Sequence, residues 1–166
     1  MIIVIPTFII CLIIFIYSLL KDKILFLNIR INEIEEKINS TLIKRKELIK
    51  DSEKLIKKIL NTDKQIFESF SDINEKKMNM IKLDRELLAC INEFYLIKDK
   101  YKKLKNNEEF QKITFAINET EDLLNAYKNY YNNVAEKYNN FISKFPINIA
   151  AFIKGKKQKE FFDKNI

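Results

Sequence analysis

Residues 2 to 20 read IIVIPTFIICLIIFIYSLL and carry no charge. From Lys21 onward the pattern changes, with apolar residues recurring every three or four positions among Lys, Glu and Asn. An uncharged run of about 20 residues spans about 30 Å as a helix, the thickness of a bilayer core, so the run predicts a transmembrane helix. Pro6 falls in the first turns, where it costs little. Lys21 and Lys23 can snorkel to headgroups, and Tyr17 suits the interface. A cleaved signal peptide fits poorly, because no basic segment precedes the run and no small-residue cleavage site follows it. Lys21, Lys23 and Arg30 follow the run while no Lys or Arg precedes it. The positive-inside rule then predicts a single-pass protein of the cell membrane, with Met1 outside and the remainder cytoplasmic.

The second pattern is a heptad seam. Its first stretch holds Ile24, Leu27, Ile31, Ile34, Ile38, Leu42, Ile49, Ile56, Ile59, Ile66 and Phe70, interrupted at Arg45, Ser52 and Asp63. Two capping-box spacings compete for its end, Thr62 with Gln65 and Asp72 with Glu75. The seam keeps phase through Asn61-Thr62-Asp63, which places the turn at 71 to 75, with 61 to 63 as the rival. A second helix is expected from Glu75 to Tyr101, with Met80, Leu87, Ile91, Phe94 and Tyr101 in its seam. A third carries Phe110, Ile113, Ile117, Thr120, Leu124, Tyr127, Tyr131, Val134, Tyr138 and Phe141 in unbroken threes and fours. Phe145-Pro146 ends it, Asn148 is placed to cap a short helix, and Gly155 to close it. The expected fold is all-α: a transmembrane helix (1–20) continuing into an antiparallel bundle of three long helices (21–145), then a short C-terminal helix and basic tail (146–166).

Composition supports long elements, since one Gly and two Pro leave few turns. The net charge of +7 raises nucleic acid or anionic lipid as partners. Acids are interleaved with bases, however, as in Glu33-Ile34-Glu35-Glu36-Lys37, which is the pattern of a solvated helix face. There is no His, so the commonest general base and metal ligand is missing. Cys11 and Cys90 lack metal or redox spacing and read as small hydrophobes. No glycine-rich phosphate loop can form from a single glycine. The expectation is no catalytic residue, no metal or other cofactor and no small-molecule substrate.

Tyr131-Asn132 and Tyr138-Asn139 lie seven residues apart and share one helix face. They read first as a seam that buries the rings and keeps the hydroxyls wet or bonded, and second as a recognition stripe. Arg45, in a seam position, either snorkels or pairs with a carboxylate of a later helix.

The ordered set Thr120-Glu121, Tyr131-Asn132, Tyr138-Asn139, Phe145-Pro146, Asn148, Ala151 and Gly155 resembles the LemA family. In that family the region looks like TE, YN, YN, FP-x-N and a glycine. Upstream, Tyr101, Leu104, Lys105, Asn107 and Phe110 resemble its Y-P-D-L-K-x-N-x-x-F stretch. Ile38, Leu42, Lys44-Arg45 and Leu48-Ile49 resemble its I-D-x-Q-L-x-R-R-x-D-L-I-P stretch. Lys50, Lys102 and Lys156 stand where that pattern has Pro, Pro and Phe, and Asn39 where it has Asp. The resemblance covers nearly the whole chain and implies a membrane-anchored antiparallel helical bundle. It implies no reaction.

A turn at 71 to 75 would leave the second and third helices too short to cover the lower part of the first. Ile24, Leu27, Ile31, Ile34 and Ile38 would then form an exposed apolar stalk, which implies a protein partner or self-association. The functional expectation is a membrane-anchored scaffold or adaptor. The alternative is nucleic-acid or anionic-lipid binding through the basic rod and tail.

Overall fold

The first helix stops before its apolar stripe does. In this computed structural model, which describes residues 4–70, 73 and 78–163, helix α1 runs Val4–Leu60. Asn61 then takes a positive φ of 49°, a region that Asn tolerates better than most side chains. The Thr62 N–H turns back to the Lys57 carbonyl at 3.1 Å, which satisfies a helix-end acceptor. The turn expected at 71 to 75 is therefore displaced to the rival position. The Asp72–Glu75 signal lies outside the described residues. Beyond the stop, Phe67 is buried although the seam omitted it, and a single 3-10 turn forms at Glu68–Phe70. The Ile66 N–H reaches Glu53 at 3.4 Å, and the Ser69 N–H reaches Glu93 at 3.3 Å.

Contacts divide the described residues into two units, one of residues 4–35 with 129–163 and one of residues 36–128. The second unit holds the rest of α1, α2 (Met80–Lys100), the short α3 (Lys102–Lys105) and the first part of α4 (Glu108–Ile142). Asn79 caps α2 by accepting from the Lys82 N–H at 2.8 Å, so this helix starts five residues after the expected Glu75. The pairs across the unit fix its directions. Arg45 lies near Asp84, while Ile66 and Ser69 link the levels of Glu53 and Glu93. The α2 helix therefore runs parallel to α1, where an antiparallel return was expected. The two helices are separated by residues 61–79 and not by a tight turn. The α4 helix opposes both: Lys44 pairs with Glu119, and Asp84 with Lys128. Leu42, Ile49, Ile56, Leu87, Ile91, Phe94, Phe110, Ile117 and Leu124 form the core.

In the first unit, α4 again runs against α1. Lys23 Nζ lies 4.7 Å from the Phe141 ring centroid, and Arg30 Nη1 donates to the Tyr130 hydroxyl at 3.3 Å. Leu27, Ile31 and Ile34 are buried here, Ile38 is buried in the other unit, and Ile24 is half-buried. The exposed stalk expected at these five residues is thus corrected: with α1 ending at Leu60, the chain covers them itself. The short α5 (Ile147–Ile153) starts without a side-chain cap, and Asn148 accepts only from the Ile149 N–H. Gly155, at φ 61°, ends it; the Lys156 N–H bonds to the Ala151 carbonyl at 2.9 Å and the Gly155 N–H to Phe152 at 3.0 Å. Only the positive φ asks for glycine, since an added Cβ would meet nothing within 4 Å.

Among the described residues, no helix is long and apolar enough to cross a membrane. Of residues 4 to 20, side chains are described only at Thr7, Cys11, Phe15, Ser18 and Leu20. The span expected at 1–20 therefore falls largely outside what is described.

Candidate functional site

Three arrangements gather the residues that the sequence singled out. The first is a buried charge cluster in the second unit. Arg45 is 1 % exposed, and its fork points three ways. Nη2 donates to Glu121 Oε2 at 2.7 Å, Nε to Thr120 Oγ1 at 3.3 Å, and Nη1 lies 4.0 Å from Asp84 Oδ1. That last oxygen makes no hydrogen bond, so Arg45 attracts it by charge alone. The other, Oδ2, accepts from buried Lys128 at 2.9 Å. Two cations and two carboxylates thus balance one another across α1, α2 and α4. Desolvation lowers the Arg45 pKa, and Glu121 and Asp84 oppose that shift. Beside the cluster, the Tyr95 hydroxyl donates to Asn118; burial and then the charge of Glu121 raise the Tyr95 pKa.

Arg45, Thr120 and Glu121, family-motif matches separated by some 75 residues in sequence, meet here. Asp84 and Lys128 were missed. The available signal was spacing: each sits three residues from an apolar seam position, Asp84 from Leu87 and Lys128 from Tyr131. Tyr101, Leu104 and Phe110 gather at the other turn. Leu104 and Phe110 are buried, and Tyr101 is exposed at the end of α2. Phe110 stacks on Phe94, with centroids 5.0 Å apart. Asn107 accepts from the Phe110 N–H at 2.9 Å and caps α4, whose first turn is acidic. Cys90 is buried, which pushes its thiol up to about 12, while Cys11 is exposed.

The second arrangement lies in the first unit, where α5 meets the stretch of α1 that follows the uncharged run. Leu20, Ile24 and Leu25 of α1 face Ile147, Ala150 and Ala151 of α5 around an apolar cavity of about 760 Å³, which Lys21 and Lys156 also line. Outside it, Phe145, Ile149, Phe152 (87 % exposed) and Ile153 are open to solvent. Lys144, Lys154, Lys156 and Lys157 flank them and are exposed. Pro146 and Gly155 bound this element at either end. Because α4 runs against α1, the end of α4 and α5 lie beside residues 20–28.

The third arrangement involves the repeated Tyr-Asn pairs. Tyr131 and Tyr138 are buried, as the seam reading had it, while Asn132 and Asn139 bond the backbone of the tail. Burial, with Glu35 and Glu160 nearby, pushes the Tyr131 phenol up to about 12, and burial also raises Tyr138. A raised phenol pKa favours the folded state below the unfolded value, near 10, and that contribution fades as pH rises through the folded value. Between pH 10 and 12, stability should therefore fall by about 2–3 kcal/mol through Tyr131. Denaturation at stepped pH checks it: Tyr131→Phe should flatten the decline, and an unchanged slope would remove Tyr131 as its cause.

Fold and site together define an all-α protein of packed long helices with a tyrosine–asparagine repeat. Among its described residues, no group of three or more His, Cys, Asp or Glu could hold a metal ion. The sequence model of the LemA family matches residues 34–165. The chain belongs to the LemA family. No curated protein matches it.

Proposed function

We propose that the chain is a single-pass membrane-anchored helical scaffold or adaptor that meets a protein partner or further copies of itself, with no catalytic chemistry of its own. The carrying observation is the continuity of α1. The uncharged residues 2–20 lead directly into the stretch at Leu20–Asn28, beside which α5 presents exposed Phe145, Ile149, Phe152 and Ile153 among lysines. An apolar face ringed by Lys suits a bilayer interface, where rings enter the headgroup boundary and ammonium groups meet anionic lipid. The anchor rests on the sequence of residues 2–20. Lys21, Lys23 and Arg30 after it favour the cytoplasmic side for the helices that follow the span. The lipid half of the alternative thus joins this reading, and nucleic acid loses ground.

Alkaline carbonate washing of membranes holding the full chain tests the anchor. The protein should stay in the pellet until detergent is added, and Ile9→Lys with Ile13→Lys should move it to the supernatant. Release of the unaltered chain by carbonate alone would defeat the reading. Crosslinking in the same membranes should attach a partner or a second copy; monomer alone would defeat the adaptor role.

A further inference from the structure

Residues 156–163 form no helix or strand, yet they are held at regular intervals by α4. Asn139 Nδ2 donates to the Lys159 carbonyl and its Oδ1 accepts from the Lys159 N–H, both at 2.8 Å. Asn132 does the same to Phe162, both at 2.9 Å. Each amide engages the two backbone groups of one residue, as a neighbouring strand would in a sheet. The spacings agree. Seven residues of α-helix rise about 10.5 Å. Three residues in an extended polyproline-type path, which returns to the same side every third residue, advance about 9 Å.

Two side chains add selectivity. Phe162 is buried edge-on against Tyr131, with centroids 5.2 Å apart at 83°. Lys159 Nζ lies 3.0 Å from Glu35, an ion pair half-buried on both sides. Glu160 and Phe161, between them, are exposed, and Gln158 makes an exposed 3.1 Å bond to Ser143. The four amide bonds read only backbone, so any extended segment can form them. Glu35 and Tyr131 select a basic residue followed, three positions on, by an aromatic one.

We propose that Asn132 and Asn139 form a binding site for an extended segment of a partner protein with a basic-x-x-aromatic pattern, a site that the chain's own tail fills in its absence. The tail is held by one buried ring, one half-buried ion pair, four amide–backbone hydrogen bonds and the Gln158–Ser143 bond, among other contacts. It remains as occupant because it is tethered, and a short tether supplies an effective concentration in the millimolar range. A free segment of the same chemistry competes against that figure, so occupancy in trans is weak until the tail lets go. This names the chemistry of a partner, which the scaffold reading does not, and it holds whether or not residues 2–20 span a membrane.

The test uses the detergent-solubilised full chain and a fluorescent peptide of residues 156–163, KKQKEFFD. Lys159→Ala with Phe162→Ala in the protein should open the site and bind the peptide at least ten-fold more tightly than the unaltered chain does. Adding Asn132→Ala and Asn139→Ala should remove that gain, with helical circular dichroism unchanged. Equal binding with and without the two asparagines would overturn the proposal, as would no binding to a folded, opened chain. Hydrogen exchange guards against misfolded variants. In the unaltered protein the Lys159 and Phe162 amides should be protected, and saturating peptide should speed their exchange; no acceleration overturns displacement. A concentration-dependent dimer that exchanges tails would assign the site to a second copy and overturn the partner assignment.

Discussion

Arg45→Ala should lower the unfolding free energy by about 3–5 kcal/mol, the cost of leaving buried carboxylates without their cation. Arg45 is almost wholly buried and serves Glu121, Thr120 and Asp84 with three different nitrogens. Its loss leaves Lys128 to hold Asp84 and leaves Glu121 facing a cavity, relieved by the partial exposure of its side chain. That relief points to the lower end of the range. Arg45→Lys should cost less than alanine but not be silent, because one ammonium cannot reproduce a planar fork. Arg45→Met with Glu121→Leu should recover part of the loss, since replacing both members removes the orphaned charge. Urea unfolding of the solubilised chain measures all three. A change below about 1 kcal/mol for Arg45→Ala would mean that water reaches the cluster and screens it.

Ile31→Ala should cost about 2–5 kcal/mol, the range for truncating a buried aliphatic side chain. Ile31 is 0 % exposed, in the unit where Tyr131, Val134 and Tyr138 are also buried. A side chain on a bare stalk would instead change stability by about 0.5 kcal/mol or less. The same melt therefore separates the covered seam from the exposed stalk that the heptad pattern implied, and a small value would restore the stalk.

The contrast between α1 and α4 explains what the sequence could tell. The α4 seam was legible from Phe110 to Phe141 because nothing between Asn107 and Phe145-Pro146 interrupts its threes and fours. The end of α1 was not, because Ile66 and Phe70 continue the same spacing by coincidence across a backbone that has already turned. The real stop is Asn61 entering the left-handed region, a signal weaker than glycine and easily outvoted by an apolar period. That one misplacement carried with it the bare stalk at Ile24, Leu27, Ile31, Ile34 and Ile38.

The site was partly legible for a different reason. Motif order marked Arg45, Thr120 and Glu121, and their meeting is tertiary. Asp84 and Lys128 bond across 44 residues, which no local periodicity encodes. The asparagines of the Tyr-Asn repeat showed their common face, but what they hold is the backbone of Lys159 and Phe162. Backbone groups have no sequence signature, so only the return path of the tail reveals that contact.

The distances between partners along the chain also have a consequence in time. Arg45 meets Glu121 across 76 residues, Arg30 meets Tyr130 across 100, and Glu35 meets Lys159 across 124. A ribosome adding about 5–20 residues per second takes roughly 5–20 s to make a hundred residues. For that interval Leu27, Ile31 and Ile34 have emerged while the part of α4 that buries them is still being made. The apolar face closed in the finished protein is open during its birth, when a chaperone or a neighbouring nascent chain can still reach it.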